Sequence, residues 1–293
     1  MKSMQKTDGP LTRRGASLSA FRACIRSVVV LGGALCLACC TSLFFKPGRD
    51  FVYDPATVQL SPQDVYFKSA DNVKLHGWYF QARGHERGTI LVCHGNVENI
   101  STHVKLDLWL VDAGYNLFIF DYRGYGRSEG SPDVKGINRD AEAALETLLI
   151  RVPGRVIVFG KSLGGAVAVY TVANSPCRDR VKGVILEGTF SSYRMIAREK
   201  IAESIIGWPL QYPLSFLVSD DCSPVDFIAR LSPIPVLIMQ GKADPIVPEH
   251  HGRILYDAAA EPKQYWPLNL GHVKSWTDPA TRERLLEYLE RLQ

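Results

Sequence analysis

The sequence predicts an α/β chain, one mostly parallel sheet with helices on both faces and a helical insert late in the order. Three observations carry this. Short runs dense in valine, isoleucine and leucine recur through the chain, as strands covered on both faces require. Stretches with helical spacing separate them, over connections short enough for right-handed crossovers. One segment, 190–231, interrupts the alternation without any sheet-like run. The length of 293 residues, 46% of them apolar, suffices for one sizeable core.

The first 40 residues read as a leader. Lys2, Lys6, Arg13, Arg14, Arg22 and Arg26 stand against Asp8 alone, so the formal charge of +4 belongs to this end and the remainder is close to neutral. No basic run interleaved with aromatics follows, which argues against a nucleic-acid partner. An apolar run at 28–38 precedes Leu37-Ala38-Cys39-Cys40-Thr41-Ser42, which resembles a bacterial lipoprotein signal with Cys40 as lipid-anchor candidate and Cys39 as the alternative. The uncharged stretch 27–45 also allows an uncleaved spanning helix, and a secreted product is a third outcome. In both anchored readings the arginines stay on the cytoplasmic side and the domain faces the other way.

Residues 41–60 show no sustained period and read as a tether. The domain then runs from 61 to 293, opening with β-prone runs at 64–68 and 73–80 around Ser-Ala-Asp-Asn, which is hairpin chemistry. Core strands are expected at 89–93, 115–120, 156–159, 184–186 and 236–239, and helices at 101–112, 136–149, 163–173 and 249–259. A last helix over 279–292 repeats Leu285, Leu286, Leu289 and Leu292 on one face. In the insert, 191–207 has helical spacing before Trp208-Pro209 and Tyr212-Pro213. Between two core strands such an insert covers the carboxyl edge of the sheet, where folds of this kind bind ligands. Its Met195, Ile196, Ile201, Ile205, Ile206, Trp208, Leu210 and Phe216 are expected to pack onto the core, or to suit an acyl chain.

Gly160-Lys161-Ser162-Leu163-Gly164 follows an apolar strand and opens a small-residue helix, the context in which a G-x-S-x-G pattern holds a serine on a sharp, strained turn. A serine needs a base, and the base a carboxylate to fix its tautomer. Asp244 after the 236–239 strand and His272 in Leu270-Gly271-His272 supply them in the order Ser, Asp, His. The developing oxyanion needs two donors, for which the backbone amides of Leu163 and Asn96 are placed. His94 reads as a brace for the Asn96 loop, and Glu187 fits the triad acid less well than Asp244 because it precedes the insert. Neither His250-His251 nor His94 with His103 has a carboxylate or thiolate at metal-ligand spacing, so no metal is expected. Of the cysteines beyond the leader, Cys93 reads as a buried hydrophobe, and a bridge between Cys177 and Cys222 is conceivable though no spacing supports it.

His94-Gly95-Asn96, the run from Asp121 to Gly130, Gly160 to Gly165, Leu186-Glu187-Gly188-Thr189-Phe190 and Gly241-Lys242-Ala243-Asp244 together resemble the serine-aminopeptidase-like branch of the α/β-hydrolases over about 61–291. The likeness extends to alpha/beta-hydrolase-domain proteins that include membrane-tethered acyl-protein thioesterases and bacterial lipoproteins. It implies a serine hydrolase without metal or organic cofactor, acting on a small-molecule or acylated substrate. It also implies that Asp121, Arg123 and Arg127 brace the site and do not touch substrate. Oligomeric state is left open.

Overall fold

Parallel strands need crossover connections, and the chain supplies them in one direction after another. The computed structural model describes residues 45–54 and 61–292; the leader, Cys40 and the rest of the tether lie outside them. Eight strands form one sheet: β1 (Gln63–Lys68), β2 (Lys74–Phe80), β3 (Gly88–Cys93), β4 (Tyr115–Asp121), β5 (Val156–Lys161), β6 (Val181–Glu187), β7 (Val236–Gly241) and β8 (Lys263–Leu268). Their spatial order is β8-β7-β6-β5-β3-β4-β2-β1. Only the ladders made by β2 are antiparallel. This is the α/β-hydrolase fold, a mixed sheet flanked by helices with an inserted helical region.

The expected hairpin is present, closed by Ser69 accepting from Val73 N and by Asn72 at φ 64, a left-handed position that Asn tolerates. β3 to β7 lie at or close to where their apolar runs stand in the sequence, because each is buried on both faces. β8 escapes such reading. It is the edge strand, and its outer positions Lys263, Gln264 and Pro267 interrupt the apolar run, with Pro tolerated where no neighbour needs its N–H.

Three long helices cover the sheet: α1 (Val134–Arg151) and α2 (Leu163–Asn174) on one face, with Ile137, Leu145, Val167 and Val172 in that core, and α5 (Pro279–Arg291) on the other. The second core holds Leu285 and Leu289 of α5 beside Ile90, Leu117 and Trp266. The helix expected over 101–112 is instead broken into Ile100–His103, a tight turn at Val104–Leu106 and Leu108–Asp112. The break is at Asp107, whose buried carboxylate turns inward to Lys161, 2.5 Å away.

The insert between β6 and β7 holds α3 (Tyr193–Ala202) and the short helices Gln211–Ser215 and Pro224–Phe227. Its packing departs from expectation. Tyr193, Ile196 and Ala197 are buried, but Ile205, Ile206, Trp208, Leu210 and Phe216 face solvent. α4 (Glu249–Ala258) follows β7. Cys177 and Cys222 are free thiols, so the conceivable bridge does not form. Cys93 is buried, and desolvation pushes its thiol up to about 12, as an unreactive core residue should be. Among the described residues no helix is long and apolar enough to cross a membrane.

Candidate active site

Ser162 sits between the end of β5 and the first turn of α2 at φ 54, ψ −117, a conformation L-residues rarely adopt. The backbone around it is over-determined: Ser162 N donates to Glu187 O at 2.9 Å and Gly165 N to Ser162 O at 3.0 Å. Only glycines allow the approach. A Cβ on Gly164 would overlap the Cys93 carbonyl, and one on Gly165 the Thr189 hydroxyl. Ser162, half-buried, is thus held at the carboxyl edge by a turn with no room to relax. Beneath it Lys161 is buried against Asp107, whose carboxyl is pushed up by burial and pulled back by the ammonium.

Asp244 follows β7, and its buried carboxylate is held by two amides, Ile246 N at 2.8 Å and Val247 N at 2.9 Å to Oδ1. Its other oxygen, Oδ2, is 2.7 Å from Nδ1 of His272. With Asp244 Oδ2 as acceptor, Nδ1 is the donor, and the neutral tautomer that makes this contact has its lone pair on Nε2. The His272 ring lies over Gly188 at φ 62, where an added Cβ would come 3.1 Å from Cε1 and Nδ1. Gly188 adjoins Glu187, whose carbonyl binds Ser162 N, so serine and imidazole border one glycine. Among the described residues no hydrogen bond joins the Ser162 hydroxyl to His272, and such contacts are often loose without substrate.

The loop bearing His272 is pinned twice over. Ser275 N donates to Glu187 Oε1 at 2.9 Å, and Val273 is held at φ 49, strain that a β-branched residue accepts only when its surroundings enforce it. Glu187 is therefore an anchor for that loop, a role nothing in its local sequence announces.

Leu163 heads α2, where the first N–H groups have no acceptor within the helix. Asn96 stands opposite: a Cβ on its neighbour Gly95 would lie 3.8 Å from Ser162 Cβ. The Asn96 carbonyl accepts from Lys46 N at 3.3 Å and from the Tyr125 hydroxyl at 2.9 Å, which fixes the loop. His94 is buried below, its Nδ1 2.7 Å from Gly95 O and its ring stacked on His103 at 4.9 Å. Desolvation and the neighbouring ring keep it neutral, well below 6.5, which suits a brace.

Asp121, Arg123 and Arg127 also brace. Arg123 bridges Asp140 at 2.8 Å and Asp71 at 2.9 Å, Asp121 accepts from Ile100 N at 2.9 Å, and Arg127 lies 3.4 Å from Asp64. One cluster was out of reach of spacing arguments. Glu199 of α3 meets His250 at 2.9 Å and His251 at 3.1 Å, completing with a carboxylate the histidine pair that lacked one in the sequence. Ser191 N donates to His251 Nδ1 at 3.1 Å, so the proton of a neutral ring sits on Nε2, toward Glu199. The cluster acts as a hydrogen-bonded latch between insert and core.

The family model described as Serine aminopeptidase, S33, matches residues 84–212, a span that includes Ser162 but neither Asp244 nor His272. The chain is 33% identical over 257 residues to the protein YfhR of Escherichia coli (strain K12), covering 84% of this chain and 86% of that one. It is 34% identical over 250 residues to the Alpha/beta hydrolase domain-containing protein WAV2 of Arabidopsis thaliana, covering 80% of each. Among solved structures, the Pyrococcus furiosus esterase Pf2001 superposes with a TM-score of 0.67 at 20% identity, over 85% of this chain and 97% of the esterase, a likeness of fold. By these relatives and this fold, the chain belongs to the α/β-hydrolase superfamily, in its S33, serine-hydrolase-like branch.

Proposed function

We propose that the chain is a serine hydrolase that cleaves an ester, thioester or amide of an acyl or lipid-like substrate through an acyl-enzyme, with Ser162 as nucleophile, His272 as base and Asp244 as its partner. The observation that supports this most is the 2.7 Å contact of His272 Nδ1 with Asp244, which leaves Nε2 as the basic nitrogen at the edge where Ser162 is strained outward. In this reading Nε2 takes the Ser162 proton as Oγ attacks the carbonyl carbon. The amides of Leu163 and Asn96 hold the oxyanion, and the proton passes to the departing alcohol, thiol or amine. Water, deprotonated by the same imidazole, then releases the acid and restores Ser162.

A fluorophosphonate tests the assignment directly, since Oγ attack at phosphorus expels fluoride and leaves a mass tag on Ser162. Labelling of the wild type, with none in Ser162→Ala, is the expected result. A wild-type chain that stays unlabelled while folded would be a binding protein that keeps the architecture only. The same residues would serve a peptidase, so a panel of aminoacyl amides and of esters and thioesters with graded acyl chains separates the substrate classes.

We also propose that the leader anchors this domain to a membrane on the non-cytoplasmic side, with Cys40 as the lipidated residue. Intact mass of the mature chain tests it: cleavage before Cys40 with added acyl groups is expected, and an unprocessed N-terminus would replace the lipid by an uncleaved segment.

A further inference from the structure

Among the described residues, eight of the thirteen exposed large apolar side chains lie within 205–217 of the insert. Ile205 is 96% exposed, Ile206 82%, Phe216 67% and Trp208 65%. Single apolar residues on a surface are ordinary, but a concentration of this size marks a place where something else belongs. The insert already has an inward side, formed by Tyr193, Ile196 and Ala197, so the exposed residues form a second face that packing against the core does not use.

Its position narrows what covers it. Lys200 Nζ donates to Pro245 O at 3.1 Å, and Glu199 is latched to His250 and His251, which fixes the insert over the carboxyl edge of the sheet. Residues 45–47 lie at that same edge. Phe45 is buried, and Lys46–Pro47 pairs in parallel with Val97–Glu98, just beyond β3. Phe45, the last residue of the uncharged stretch 27–45 in the sequence, is therefore on the side of the domain that carries the apolar face.

The chemistry at the face fits a lipid headgroup layer. Tryptophan and tyrosine favour the boundary between hydrocarbon and water, where an apolar ring and a polar edge are both satisfied. Two half-buried guanidinium groups stand beside the apolar side chains, Arg194 at 5.3 Å over Phe216 and Arg198 at 5.4 Å over Tyr212, so the apolar face carries positive charge at its border, as an anionic headgroup layer favours. A second copy of the chain would cover apolar area as well, but it would give no reason for the face to share an edge with Phe45, where the uncharged stretch ends.

We infer that the outward face of the insert, built on Ile205, Ile206, Trp208 and Phe216, docks into the headgroup layer of a phospholipid bilayer, the same one that 27–45 meets. The domain then rests with its carboxyl edge toward the lipid. This rests on the proposed anchoring of the leader and not on the chemistry at Ser162.

The full chain, reconstituted into phosphatidylcholine and phosphatidylglycerol vesicles, gives the test. The difference in tryptophan emission between wild type and Trp208→Phe isolates Trp208 from the other four tryptophans. Vesicles whose acyl chains are brominated near the ester end are expected to quench that difference by about half or more relative to unbrominated ones. An Ile205→Asp/Ile206→Asp double variant is expected to abolish the quenching while melting like wild type. Equal Trp208 emission in both kinds of vesicle overturns the inference. So does a blue shift that grows with protein density and ignores bromination, which would assign the face to a second copy.

Discussion

The turn at Ser162 and the insert above it are built on opposite principles. At the turn every neighbour is fixed: Gly160, Gly164 and Gly165 admit no Cβ, Lys161 is buried on Asp107, and the strained serine is tied to Glu187 O. In the insert one short helix is latched down by Glu199 and Lys200, while the residues beyond it turn their apolar side chains outward. Rigidity is spent where an atom must be aimed, and the exposed apolar area lies where a surface must be met.

If that contrast is right, substitutions on the two sides should differ in kind. Ser162→Ala should lower ester hydrolysis by about four orders of magnitude with an unchanged melting temperature, because only the nucleophile leaves. Parallel turnover and calorimetry check it; a variant as active as wild type would break the assignment. Gly164→Ala should destabilise the fold by about 4 kcal/mol or more, since a methyl group there meets the backbone of Cys93 and His94 and not a movable side chain. Urea unfolding measures it, and a cost below about 1 kcal/mol would mean the turn has slack.

Removing a brace should cost slightly less. Arg123→Met leaves the buried carboxylate of Asp140 unpaired, for an expected loss of about 3–5 kcal/mol. An Arg123→Met/Asp140→Leu double variant should recover much of it if the pair serves packing alone.

The histidines under the Asn96 loop give a pH signature. Desolvation holds His103 at about 4 and His94 well below its ordinary value, whereas in an unfolded chain they titrate near 6.5. Between those values the unfolded chain takes up protons that the folded one refuses, so stability rises with pH there and falls on acidification. His103→Asn should shrink the drop in melting temperature from pH 7 to pH 5 by about two to four degrees. An unchanged slope would place that titration elsewhere. The smallest effect belongs to the insert: Ile206→Ser should stay within about 0.5 kcal/mol of wild type, because it removes no packed surface. A large loss there would mean the face is covered by the chain itself.

Much of this was readable in one dimension. The strands β3 to β7 are buried on both faces, so burial writes itself as unbroken apolar runs, and a glycine-flanked serine between strand and helix needs no distant partner to be noticed. β8 was not readable, because an edge strand alternates and its Lys, Gln and Pro resemble loop chemistry. The insert misled in another way. Apolar residues at helical spacing imply burial, yet the same spacing serves a face turned outward, and only the fold tells which side is the core.

The sequence alone determined what is local: alternation of strand and helix, the backbone demands of the turn, and the order of serine, aspartate and histidine along the chain. The tertiary structure decided what depends on long-range approach. It laid Asp244 Oδ2 against His272 Nδ1 and turned Glu187 into an anchor for the histidine loop. It also brought Glu199 to a histidine pair some fifty positions away. Hydrogen bonds act over about 3 Å, and sequence distance carries no information about which chain segments come that close.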